Sequence, residues 1–152
     1  MFRGSIVALV TPFKEDFDID FEAYGRLIDW QLESGTDGVV PCGCTGEAAT
    51  LSHDEQLQCI RFTIERVAGR VPVIAGTGSN STREALSLTR KAKESGADAA
   101  LLITPYYNKP TPAGRMAHYT TIAKQVDIPI VLYNVPGRTA TKMLPATIAD
   151  MH

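Results

Sequence analysis

Cysteine is scarce: Cys42, Cys44 and Cys59 are the only three in 152 residues. An odd handful of thiols does not make a disulfide framework and fits a reducing compartment. Neither sign of charge is in excess, with 15 Lys and Arg against 17 Asp and Glu and a formal net charge of −2. That balance supplies no basic face for nucleic-acid phosphates. Long apolar runs are missing too, and none approaches the roughly 18 residues of a membrane span. The run at 5–10 is too short for a secretory h-region and leads straight into Thr11-Pro12. Glycine and proline, 12 and 9 residues, are too few for a low-complexity or collagen-like chain. Cys42 and Cys44 form a C-x-C with no second Cys/His pair, so no zinc site is expected. Neither a P-loop nor a Ser-His-Asp arrangement is present. What remains is an ordinary globular composition, 44% apolar and 21% charged, of one-domain length. It is expected in the cytoplasm, away from membranes, without cofactor or metal.

The chain alternates strand and helix signals. Apolar runs at 5–10, Gly38–Val40, 71–75, Ala99–Ile103 and 128–133 read as strands. Their unbroken Val, Ile, Leu and Ala content is that of parallel strands buried on both faces. Tyr24, Leu27, Ile28 and Leu32 make a helical stripe over 21–34, closed by Gly35. Ser52–Glu55 and Ser81–Glu84 read as capping boxes. The helix that the first one opens carries Leu57, Ile60, Ile64 and Val67 on one face. Thr111-Pro112 opens a further helix, and another starts near Pro145. Strand starts recur about every 30 residues, the size of one βα unit. An open doubly wound sheet and a (β/α)8 barrel both fit this pattern. No linker divides residues 1–152, so one domain is expected.

Both architectures place ligands at the C-terminal strand ends. Gly43-Cys44-Thr45-Gly46-Glu47 follows the second strand. Such a loop exposes backbone N–H groups suited to a carboxylate or phosphate, or is a plain tight turn. Gly76-Thr77-Gly78-Ser79-Asn80-Ser81 lacks the third glycine of a dinucleotide fingerprint and reads as a turn. Thr104–Pro110 holds Tyr106 and Tyr107 between prolines, a stiff aromatic loop suited to an interface. Tyr133 and Arg138 could pair a proton relay with an anion clamp. Their plain alternative is a buried tyrosine and a solvated arginine. His53 and His118 read as structural or solvated.

Taken together, GSIVALVTPF, GCTGEAATLSHDE, VPVIAGTGSNST, TPYYNKP and YNVPGRT resemble the dihydrodipicolinate synthases, over essentially the whole chain and in order. The resemblance implies a (β/α)8 TIM barrel of the class I pyruvate-dependent aldolase type. It implies condensation of pyruvate with L-aspartate semialdehyde through a lysine Schiff base, in lysine and diaminopimelate biosynthesis. Thr45 matches the residue that holds the pyruvate carboxylate, and Tyr133 the proton shuttle. Tyr107 matches the tyrosine that crosses a dimer interface, and Arg138 the residue that binds the semialdehyde. Cys44 stands where the family's relay uses threonine. His53, Asn80, Glu84 and Tyr106 match an L-lysine effector site, although Ala48 and Gln56 replace residues often seen as Ser and His. A homo-oligomer, a dimer of dimers, is implied. The Schiff-base lysine falls on the sixth strand, and this sequence reaches His152 first. The expectation is therefore the N-terminal part of a barrel, about five βα units, inactive as an isolated chain. The alternatives are a sugar-acid lyase of the N-acetylneuraminate type, or a non-catalytic module for lysine binding and interface formation.

Overall fold

Residues 2–151 are described by the structure, a computed structural model. Strands β1 (Ile6–Ala8), β2 (Gly38–Val40), β3 (Ile74–Gly76), β4 (Ala99–Ile103) and β5 (Ile130–Tyr133) alternate with helices α1 (Phe21–Glu33), α2 (His53–Val67), α3 (Thr82–Glu94) and α4 (Pro112–Gln125). Two short helices, α5 (Pro136–Thr139) and α6 (Pro145–Ala149), follow β5, and a 3-10 turn occupies Ala48–Thr50. β1 pairs with β2, and β3, β4 and β5 form a second ladder, all parallel. A parallel bridge between Val39 and Val73 joins the two, with Gly76 N–H donating to the Pro41 carbonyl at 2.9 Å. The strands thus lie side by side in chain order. A doubly wound sheet would reverse that order part-way; this one does not, and its winding is that of the barrel type.

Local chemistry explains the element boundaries. Asp20 caps α1 by accepting from Ala23 N–H at 2.8 Å, and Gly35 follows it at φ +83°, a conformation glycine adopts without strain. The Ser52–Glu55 box closes in both directions. The second box closes only halfway. Ser81 Oγ accepts from Glu84 N–H, but the Glu84 carboxylate takes the Ser79 hydroxyl at 2.7 Å instead of reaching back. The strands expected at 71–75 and 128–133 begin later, at Ile74 and Ile130. Pro72 and Pro129 offer no N–H to a ladder, and only their carbonyls accept, from Val39 and Ala100. The expectation that every strand is buried on both faces holds for β2 and β3. β5 is half-buried throughout, and β1 has half-buried Ile6 and Val7 and exposed Ala8. α5, in the YNVPGRT stretch, was not expected as a helix; Pro136 starts it.

The larger core lies between α1, α2 and the first strands, with Tyr24, Ile28, Val39, Ile60 and Val67 buried in it. Gln56, Cys59 and Thr63 share the buried face of α2, where an apolar pattern alone places Ile64, which is half-buried. A smaller core gathers Ala85, Leu102, Tyr119, Ile122 and Met143 around β4 and α4. Among the described residues no helix is long and apolar enough to cross a membrane.

Candidate active-site cleft

A cleft of about 530 Å³ opens at the C-terminal ends of β2 to β5. Its floor depends on close backbone approach. A Cβ on Gly76 would lie 2.0 Å from the Cys42 carbonyl oxygen, and one on Gly78 would lie 2.5 Å from the Ile103 nitrogen. The two glycines of Gly76-Thr77-Gly78 thus serve packing between neighbouring strand ends, in keeping with the turn reading. The loop after β2 turns through left-handed backbone at Cys42 and Glu47, φ +54° and +55°. Thr11 pins it by donating to the Gly46 carbonyl at 2.7 Å. Gln56 on α2 holds its far end through the Ala48 carbonyl.

Six of the nine expected site residues border this one cleft: Cys44, His53, Glu84, Tyr106, Tyr133 and Arg138. Cys44 and Tyr133, matched to a relay, and His53, Glu84 and Tyr106, matched to an effector site, therefore face common space. Tyr133 stands at the end of β5. Arg138 sits on α5, exposed. Glu84 is the electrostatic hub of the opposite wall. Its Oε2 takes the Ser79 hydroxyl at 2.7 Å and lies 3.7 Å from His53 Nε2. Partial burial, then the neighbouring Glu84 and Cys44, push the Tyr106 phenol above its ordinary value, so it remains a neutral proton donor. Cys44 is half-buried among these groups and is not in a disulfide.

Three expected residues do not border the cleft: Thr45, Asn80 and Tyr107. Thr45 is exposed at the loop tip. Asn80 is half-buried, and its carbonyl accepts from Asn108 Nδ2 at 3.3 Å. Tyr107 is 89% exposed, with φ +64°. Glu47 and Ser79 border the cleft without having been expected from the residues, and Ala48 and Gln56, expected only as replacements at the effector site, border it too. The Ser79–Glu84 spacing fits neither a capping box nor a helical pair, so it left no signal. No lysine among the described residues borders the cleft; Lys91, Lys93 and Lys124 are on helices and Lys14, Lys109 and Lys142 on loops.

The family model of the dihydrodipicolinate synthetase family matches residues 1–152. The chain belongs to that family. A 4-hydroxy-tetrahydrodipicolinate synthase of Maridesulfovibrio salexigens is 60% identical over 97% of the chain and 50% of its own length. One of Pelobacter propionicus is 61% identical over 99% of the chain and 52% of its own. Among solved structures, the dihydrodipicolinate synthase from Aquifex aeolicus superposes with a TM-score of 0.96 at 51% identity, covering 99% of this chain and 51% of that one. The chloride-inhibited enzyme from Acinetobacter baumannii, complexed with pyruvate, gives 0.97 at 50% identity, covering 99% and 52%. The chain spans about half the length of the curated relatives it matches. In this family setting, the cleft at the strand ends is the candidate active site.

Proposed function

We propose that these residues are the N-terminal five βα units of a (β/α)8 barrel that condenses pyruvate with L-aspartate semialdehyde. The observation that carries this reading is the meeting of Cys44, Tyr133 and Arg138 on one cleft in a chain of this family. A relative that holds pyruvate superposes closely, which supports pyruvate as one substrate. A lysine amine would condense with the pyruvate ketone and release water. Loss of a methyl proton from that imine leaves an enamine, which attacks the aldehyde carbon. Tyr133 passes the protons of these steps, with the Cys44 thiol as its partner. A thiol is a weaker hydrogen-bonding group than a hydroxyl, so this relay runs slower than one built on threonine. The likeness assigns the pyruvate carboxylate to Thr45 and loop N–H groups, and Thr45 has to turn in from its exposed position outside the cleft to take it; Arg138 offers the paired donors that a substrate carboxylate takes. Tyr107, outside its own cleft, serves a neighbouring copy in a dimer of dimers. His53, Glu84 and Tyr106 take L-lysine as an effector, with Asn80, which does not border the cleft, matched to the same site by likeness. The setting is cytoplasmic amino-acid biosynthesis.

The nucleophile lies outside these 152 residues, since none of their lysines borders the cleft. Incubation with pyruvate and borohydride, followed by intact mass measurement, is expected to leave the mass of the isolated chain unchanged. A one-to-one adduct would place the nucleophile in this chain and overturn that part of the reading. Joined in frame to the C-terminal half of the Maridesulfovibrio relative, the chain is expected to form the adduct there. Arg138→Ala in that fusion lowers semialdehyde-dependent turnover roughly 10- to 100-fold, the worth of charge-assisted hydrogen bonds. Adduct formation without semialdehyde turnover would favour a sugar-acid lyase.

A further inference from the structure

One face of α4 carries three buried polar side chains: Arg115 (6% exposed), His118 (4%) and Tyr119 (3%). Each reaches a different segment at the strand ends. Tyr119 donates to Thr104 Oγ1 at 3.2 Å, one residue past β4. His118 Nδ1 lies 2.8 Å from Thr82 Oγ1 at the start of α3. Arg115 Nη1 donates twice, to the Pro110 carbonyl at 3.1 Å and to Thr141 Oγ1 at 2.7 Å.

Arg115 is the unexpected member. Its guanidinium is buried, yet among the described residues no carboxylate lies within ion-pair distance of it, and its Nε has no hydrogen-bond partner. A buried cation is costly to desolvate, and an apolar residue of similar volume would fill the same space without that cost. What an apolar residue could not do is bridge the two oxygens. One belongs to the segment that carries Tyr107, the other to the segment that carries Arg138. The second segment is already pinned internally. Asn134 exchanges two 3.1 Å hydrogen bonds with the Met143 backbone, and Thr139 donates to the Thr141 carbonyl at 2.9 Å. The Tyr107 segment instead carries left-handed backbone at Tyr107 and Lys109, and the Asn108–Asn80 contact ties it to the loop after β3.

We propose that Arg115 is a positioning residue that locks the Tyr107 loop to the Arg138 loop, so that the two move as one body. The functional meaning of the lock rests on the assignment of Tyr107 and Arg138 to the site. The lock itself is read without turnover, so it can fail while that assignment stands, and the reverse.

Hydrogen exchange by mass spectrometry on the chain tests it, with Arg115→Met, Thr141→Val and Thr141→Ser. Arg115→Met is expected to raise exchange roughly tenfold in residues 106–110 and 138–143 together, with α2 unchanged. Thr141→Val, which keeps the shape and removes the acceptor, is expected to release 138–143 from the lock; Thr141→Ser, which keeps the hydroxyl, restores protection. Wild-type exchange in both segments of Arg115→Met overturns the proposal. If Arg115→Met loosens every element, the Thr141 pair decides. Faster exchange in Val but not in Ser, with α2 unchanged, upholds the lock. Equal exchange in Val and Ser overturns it.

Discussion

The two walls of the cleft are held by different kinds of force. The wall made by the loop after β2 and by α2 stands on the larger core, where Tyr24, Ile28, Ile60 and Val67 are buried together. The wall made by β5 and residues 134–143 stands on the smaller core. Single polar side chains hold it: Asn134 on Met143, Thr139 on Thr141, Arg115 on Thr141. Apolar burial is non-directional and shared over many atoms, so the body of the first wall rests on no single contact, although Thr11 and Gln56 pin its loop. A hydrogen bond is directional and singular, so each loss in the second wall moves a particular segment at modest cost in stability. The group matched to substrate capture, Arg138, is on the second wall.

Four changes break or sharpen this contrast. Ile60→Ala strikes the first wall's core, where Ile60 is fully buried. It should lower unfolding free energy by about 2–5 kcal/mol in urea titration, with proteolytic nicking spread over the chain. Asn134→Leu leaves the Met143 N–H and C=O without their partners. It should cost about 1–3 kcal/mol, with faster exchange confined to 134–143. A global loss equal to that of Ile60→Ala would erase the contrast. Ser52→Ala removes the capping hydroxyl of α2 and should cost about 1 kcal/mol, leaving exchange at 134–143 unchanged. The smallest effect is of pH. Burial holds the His118 imidazole below its ordinary value, so the folded state keeps it neutral. As pH falls through about 6.5 the unfolded chain takes up that proton first. The stability tied to neutral His118 is complete above about pH 6.5. It is lost as pH drops through the lower folded-state value. Urea midpoints at pH 7.5 and 5.5 should differ more in the wild type than in His118→Gln; equal differences would remove His118 as the cause.

Much of the fold was legible in the residues, because its signals are local. The Gly35 stop, the Ser52–Glu55 box and the Thr111-Pro112 start all act within a few residues of chain, and the βα period repeats such local signals about every 30 residues. The misreadings came where distant groups compete. Glu84 fits a capping box by spacing, but Ser79 takes its carboxylate. α2 looks like an apolar stripe through Ile64, but Gln56 and Thr63 are buried for the partners they meet, the Ala48 carbonyl and Tyr24. His118 was legible only as structural or solvated, and its burial and contact with Thr82 decide for the structural reading. Arg115 gave no signal, since its acceptors lie 5 and 26 residues away.

The sequence by itself determined the parallel βα pattern, the helix starts and stops, and the strand-end motifs that carry the family likeness. The first two follow from backbone sterics, capping or hydrophobic period, which depend on near neighbours; the motifs were matched by resemblance. Only the tertiary structure decided that the strands run in chain order without reversal, and that Cys44, Tyr133 and Arg138 share one cleft with His53, Glu84 and Tyr106. It also decided that Thr45, Asn80 and Tyr107 do not border that cleft, and that a buried arginine bridges two loops. These depend on which residues far apart in the chain become neighbours. That is set by the packing of helices on strands, where the burial of many apolar groups outweighs the preference of any single one.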